Sequence, residues 1–145
     1  MRRLVLVAAF ALLGASAAQT GAKSNLIWGP APPSLPKGAK IAVVSGDPGQ
    51  AGPFVIRLRF PPGYAVPPHR HPSDEHVMVV DGVLSLGMGS IEDRGAMKVL
   101  GRGKSIVAPA NMNHYASTTQ GATLQISSRG PFQVIYVNPR NDPRL

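Results

Sequence analysis

The sequence predicts an all-β, single-domain protein built as a sandwich or barrel of antiparallel sheets. Three observations carry this prediction. Sixteen glycines and fifteen prolines with only 15% charged residues mark a chain cut by turns into many short pieces. Between those turns lie about nine or ten short runs of apolar or alternating residues, the spacing of sandwiches and barrels. No stretch carries the 3.6-residue apolar period of an amphipathic helix.

The first 18 residues read as a leader. Arg2 and Arg3 precede an apolar run, residues 4–13, and small residues follow at Gly14-Ala15-Ser16-Ala17-Ala18, so a signal peptide cut near Ala17 or Ala18 is expected. The run is short of the about 20 residues a permanent membrane helix needs. A periplasmic or secreted protein, off the membrane once the leader is removed, follows. The general export route fits; the paired arginines leave the twin-arginine route open. About 127 residues then remain, enough for one core. There is no cysteine, so neither disulfides nor thiolate ligands are available. Burial must supply stability, with metal binding or a homodimer as further sources. Without Arg2 and Arg3 the 15 basic residues become 13 against 7 acidic ones, a formal +6. These charges are scattered and lack an aromatic platform, which argues against nucleic acid as a partner; a small-molecule substrate or ligand is expected instead.

Residues 19–40 form an extended, Pro-rich arm, because Pro30, Pro32, Pro33 and Pro36 remove donors and restrict their neighbours. Leu26, Ile27 and Trp28 are its expected anchors. Residues 41–137 form the barrel and residues 138–145 a tail. The first strand, 41–44, stops at Ser45-Gly46-Asp47-Pro48-Gly49. In 54–60, Phe54, Ile56, Leu58 and Phe60 share a buried face while Arg57 and Arg59 form a solvated one. After Pro61-Pro62-Gly63, His69 and His71 stand at i and i+2 of an extended segment, on one side and about 6.6 Å apart along the backbone; Arg70 points away. Pro72-Ser73-Asp74 turns the chain. Glu75, Val77 and Val79 share one face of the next strand, so His76 faces outward. Asp81-Gly82 between apolar runs is expected to close a hairpin. Further strands fall at 97–100, 104–108, 114–117, 122–127 and 132–137, with a charged exposed connection at 91–95.

Three of the four histidines lie within residues 63–82, and the fourth, His114, follows a second Gly- and Pro-bounded run. The pattern Gly63-x5-His69-x-His71-x3-Glu75-x6-Gly82 resembles the first motif of the cupin superfamily at every fixed position. Gly103-x5-Pro109 followed by His114 resembles the second, with Asn111 where glycine is usual and Thr118 where asparagine is common. The closing residues 136–144 are similar to the tail of small one-domain bacterial cupins. The resemblance implies a jelly-roll β-barrel with His69, His71, Glu75 and His114 as ligands of one metal ion. Three neutral imidazoles and a carboxylate suit a divalent transition metal (Fe, Mn, Ni, Cu or Zn) and not Ca or Mg, which prefer oxygen shells. Four protein ligands on an octahedral ion leave two positions open.

Two functions fit. The first is a metal-dependent enzyme, dioxygenase-like or related, in which Glu75 both ligates and shuttles a proton; it calls for a pocket of about 300 Å³ or more. The second is a non-catalytic metal- or ligand-binding sensor module. Tyr64, Met88, Met112 and Tyr115 are candidate pocket residues.

Overall fold

The structure is a computed structural model and describes residues 25–145; the expected leader lies outside the described residues. Eleven strands, all paired antiparallel, form two sheets. The strands are β1 (Gly29–Pro30), β2 (Lys40–Ser45), β3 (Gly52–Phe60), β4 (Ala65–Arg70), β5 (Glu75–Gly82), β6 (Leu84–Met88), β7 (Lys98–Leu100), β8 (Ser105–Ala108), β9 (His114–Ser117), β10 (Ala122–Gly130) and β11 (Ile135–Tyr136). One sheet runs β1-β2-β3-β10-β5-β8 and the other β11-β4-β9-β6-β7. This is a jelly-roll arrangement. The described residues contain two single-turn 3-10 helices, Arg94–Ala96 and Pro139–Asn141, and no α-helix.

Period-2 alternation builds the core. Phe54, Ile56, Leu58 and Phe60 of β3 are buried, as are Leu124 and Ile126 of β10 and Val77 and Val79 of β5. They face Leu84, Leu86 and Val66 from the other sheet. On the outer side Arg57 donates to Gln125 (3.4 Å). The Arg59 guanidinium lies 4.1 Å from the centre of the Trp28 ring, so this cationic face is partly covered by the arm.

The structure corrects three sequence expectations. Asp81-Gly82 does not close a hairpin: β5 pairs with β10 and β8, whereas β6 pairs with β9 and β7. The chain crosses from one sheet to the other there. Gly82 (φ +77°) packs so tightly that a Cβ would come within 2.2 Å of the Gly121 carbonyl oxygen, which reserves the corner for glycine. Thr118 completes it, donating from Oγ1 to Val83 O (2.7 Å) and accepting from Gly121 N (3.0 Å). Secondly, of the run 132–137 only Ile135–Tyr136 is strand. Phe132 turns inward, edge-on to Phe54 at 5.4 Å. Thirdly, Ile27 is 90% exposed and anchors nothing, while Leu35, deeper in the Pro-rich segment, is in the core.

Candidate metal centre

The site is assembled where β4, β5 and β9 meet. His69, one residue before the end of β4, stands directly opposite His114 at the start of β9. His71 follows two residues on, on the same side as extended backbone dictates, and both it and His69 are buried while Arg70 is half-exposed. Glu75 opens β5 and is buried in line with Val77 and Val79, leaving His76 exposed on the opposite face. The turn between His71 and Glu75 is pinned from both ends of Asp74: its Oδ1 accepts from Ala110 N (2.7 Å) and its carbonyl from Ser128 Oγ (2.7 Å). Asn111 donates its backbone N–H to His71 O (2.8 Å) from a left-handed conformation (φ 61°). Asparagine tolerates this conformation better than most residues, which is how it serves where related motifs carry glycine.

Each buried imidazole is oriented by a backbone carbonyl. Nδ1 of His69 lies 2.7 Å from Pro67 O, Nδ1 of His71 2.6 Å from Gln133 O, and Nδ1 of His114 3.1 Å from Met112 O. Carbonyls only accept, so each Nδ1 carries the proton and each Nε2 presents a lone pair in the neutral ring. The ligand atoms of His69, His71 and His114 lie within 4.8 Å of one another. Glu75 Oε2 stands 3.4 Å from His71 Nε2 and 3.2 Å from His114 Nε2, yet these two buried nitrogens have no hydrogen-bond partner. Lone pairs therefore face a buried carboxylate, an arrangement that a cation between them relieves. The donor set fits a divalent transition metal.

Titration behaviour follows from this crowding. Burial, reinforced by the charges of His114 and His71, pushes His69 down to about 3, so it is neutral at ordinary pH. For His71 burial is the largest single influence and pulls downward, but the nearby Glu75 carboxylate, with the Gln133 carbonyl, brings it above its ordinary value. Burial alone would raise Glu75; the His114 and His71 rings instead hold its carboxyl well below the usual carboxylate range.

The four polar residues open onto a cavity of about 30 Å³ walled by apolar side chains, among them Leu35, Leu58, Val66 and Ile126. That is far below the pocket of about 300 Å³ expected for a metal enzyme on a sizeable substrate, and only a small multiple of the roughly 10–15 Å³ that holds one water. The four candidate pocket residues lie elsewhere. Tyr64 is buried against Phe60, ring centres 4.5 Å apart. Met88 and Met112 are exposed. Tyr115 lies across Gly87, where a Cβ would come within 2.3 Å of its ring, and its hydroxyl donates to Asp93 O (3.0 Å) and accepts from Asp93 N (2.8 Å). None of the four lines the cavity. Sequence reasoning missed Leu35 and Phe132, which do line it; Phe132 stacks on His71 at 4.8 Å. Their distance along the chain from the histidines left no local signal.

A family model described as "Cupin domain" matches residues 56–127, the span that holds both motifs and all four polar site residues. The chain belongs to the cupin superfamily. This cupin also resembles solved structures at the level of fold. The polyketide cyclase RemF from Streptomyces resistomycificus superposes with a TM-score of 0.60 at 21% identity, over 72% of this chain and 75% of that one. The DMSP lyase DddQ from Ruegeria pomeroyi gives 0.58 at 19%, over 68% of this chain and 51% of that one. A cupin superfamily protein from Desulfitobacterium hafniense gives 0.53 at 11%, over 63% and 77% respectively. No curated protein sequence matches this cupin.

Proposed function

We propose that this cupin binds one divalent transition metal ion through His69, His71, Glu75 and His114 and is a metal-dependent enzyme acting on a small molecule. The observation that carries the reading is the set of three imidazoles, each with Nδ1–H held by a carbonyl and with ligand atoms within 4.8 Å of one another, two of whose Nε2 atoms stand orphaned beside a buried carboxylate. A metal ion bound there supplies Lewis acidity toward an oxygen ligand and, if redox-active, access to dioxygen chemistry of the dioxygenase type. The chain's own residues do the rest. The backbone carbonyls of Pro67, Gln133 and Met112 fix the rings before any ion arrives, which lowers the cost of ordering a ligand set. Among the described residues Glu75 is the one buried carboxylate beside two imidazoles and the group placed to relay a proton at Oε2. The apolar wall excludes water and strengthens the local electrostatics. The solved structures named above include a cyclase and a lyase, which supports small-molecule chemistry in this fold without choosing a reaction.

A second reading, a non-catalytic metal- or ligand-binding module, is favoured by the small cavity. Elemental analysis of protein purified without chelator, then assay of the loaded protein for turnover of dioxygen and other molecules of a few atoms, separates the two. Stoichiometric metal with turnover supports the enzyme, and metal without turnover supports the module. A metal content near zero that reconstitution does not restore removes both. The leader pattern of residues 1–18 supports export to the periplasm or the medium, where the ion would be acquired.

A further inference from the structure

One wall of the cavity beside the imidazoles comes from a loop outside the family-matched region. β1 and β2 pair through Gly29 with Ile41 and Pro30 with Lys40, and Ala31 N donates to Ala39 O (3.0 Å), so the ends of residues 32–38 are tied together. Within the loop Leu35 N donates to Pro32 O (3.0 Å), a turn that presents the Leu35 side chain at the tip. That side chain is 7% exposed and lines the same cavity as His69, His71, Glu75 and His114. Two phenols hold it there. Tyr136 Oη donates to Ser34 O (2.7 Å) and Tyr64 Oη to Pro36 O (2.6 Å), gripping the carbonyls on either side of Leu35. Both tyrosines are buried. Burial keeps them protonated as donors: Tyr136 is pushed up to about 12, with the Asp142 charge adding to the effect, and Tyr64 above its ordinary value, with Tyr136 adding. The Tyr136 ring also sits 5.9 Å from that of His69, so the same residue touches plug and site.

We propose that Leu35 is a size-determining plug: seated by Tyr64 and Tyr136, it limits what can stand beside the imidazoles to a ligand of about two or three non-hydrogen atoms. The free space of about 30 Å³ admits a diatomic or triatomic molecule and excludes an aromatic ring. Shortening Leu35 to alanine removes three carbons from the cavity wall and leaves an apolar void of the kind that stays dry and takes up apolar guests.

This inference rests on the proposed metal site only for the identity of what the ligand meets, and the test separates the two. In metal-free protein, benzene is the probe, read by thermal shift and by ligand-observed NMR. Wild type should show no binding, and Leu35→Ala should bind benzene and gain melting temperature from it. Benzene binding by wild type, or its absence in a folded Leu35→Ala, overturns the plug. Should Leu35→Ala not fold, Leu35→Val with xenon replaces it: affinity at least severalfold above wild type is expected, and equal affinity overturns the proposal. In cobalt-loaded protein, azide should perturb the visible spectrum of both wild type and Leu35→Ala, while catechol should perturb only the variant, with a gain of at least tenfold. Catechol binding by wild type also overturns the plug. Absence of any cobalt spectrum in wild type counts against the proposed metal site instead and leaves the benzene result to decide on Leu35.

Discussion

Replacing Glu75 by glutamine should move metal-free and metal-loaded stability in opposite directions. In the metal-free protein Glu75 Oε2 stands 3.4 and 3.2 Å from two Nε2 atoms that have no hydrogen-bond partner. A glutamine amide at the same place brings two N–H donors within hydrogen-bonding reach of those acceptors. An unsatisfied buried polar atom costs about 1–3 kcal/mol. Satisfying even one of the two orphans should therefore stabilise the variant by about that much, and a domain of this size then melts about 4 °C higher per kcal/mol. With metal the sign reverses. The variant has lost the one anionic ligand of the four, so its affinity should fall by more than the about 10–100-fold typical of losing an outer hydrogen-bond partner, and the metal-induced rise in melting temperature shrinks accordingly. Scanning calorimetry with chelator and with excess zinc measures both. A variant that melts lower than wild type without metal, yet keeps the full zinc-induced rise, would refute the assignment of these lone pairs and of Glu75 together.

Other outcomes follow from particular contacts. Thr118→Val keeps the shape of the side chain but strands the Val83 carbonyl and the Gly121 N–H; urea unfolding should show a loss of about 1–3 kcal/mol with metal binding retained. Asn111→Val forces a β-branched residue to φ 61° and should cost about 1–2 kcal/mol, whereas Asn111→Gly should be nearly neutral by the same assay. Acid should weaken the metal-free fold through His69: between 6.5 and about 3 the unfolded chain binds a proton there that the folded chain refuses. Stability is then fully present above the unfolded value and falls with pH by up to about 1.4 kcal/mol per unit. In His69→Leu, urea titrations across that window should lose about one proton's worth of slope.

The sequence by itself determined the β architecture and which of the candidate site residues face inward. Alternation in residues 54–60 and 75–79 is a local property that any pleated strand converts into an inner and an outer face, so Phe54, Ile56, Leu58, Phe60 and Glu75 could be assigned inward, and His76 outward, without coordinates. His69 and His71, two residues apart, had to share a side for the same reason. Sheet partnership is not local, and there the reading went astray. Asp81-Gly82 has the composition of a hairpin turn, but a left-handed glycine serves a sheet-crossing corner equally well, and only the pairing of β5 with β10 and of β6 with β9 tells the two apart. Tertiary structure alone also decided which atom of each imidazole is free, because the carbonyls of Pro67, Gln133 and Met112 that hold Nδ1 belong to the backbone and carry no residue signature. It decided the size of the site as well. Leu35 comes from a segment 34 residues before His69, and nothing in its Pro-rich surroundings indicates that two distant tyrosines seat it in the barrel. Which residues face inward follows from strand periodicity; what fills the space between them depends on long-range packing.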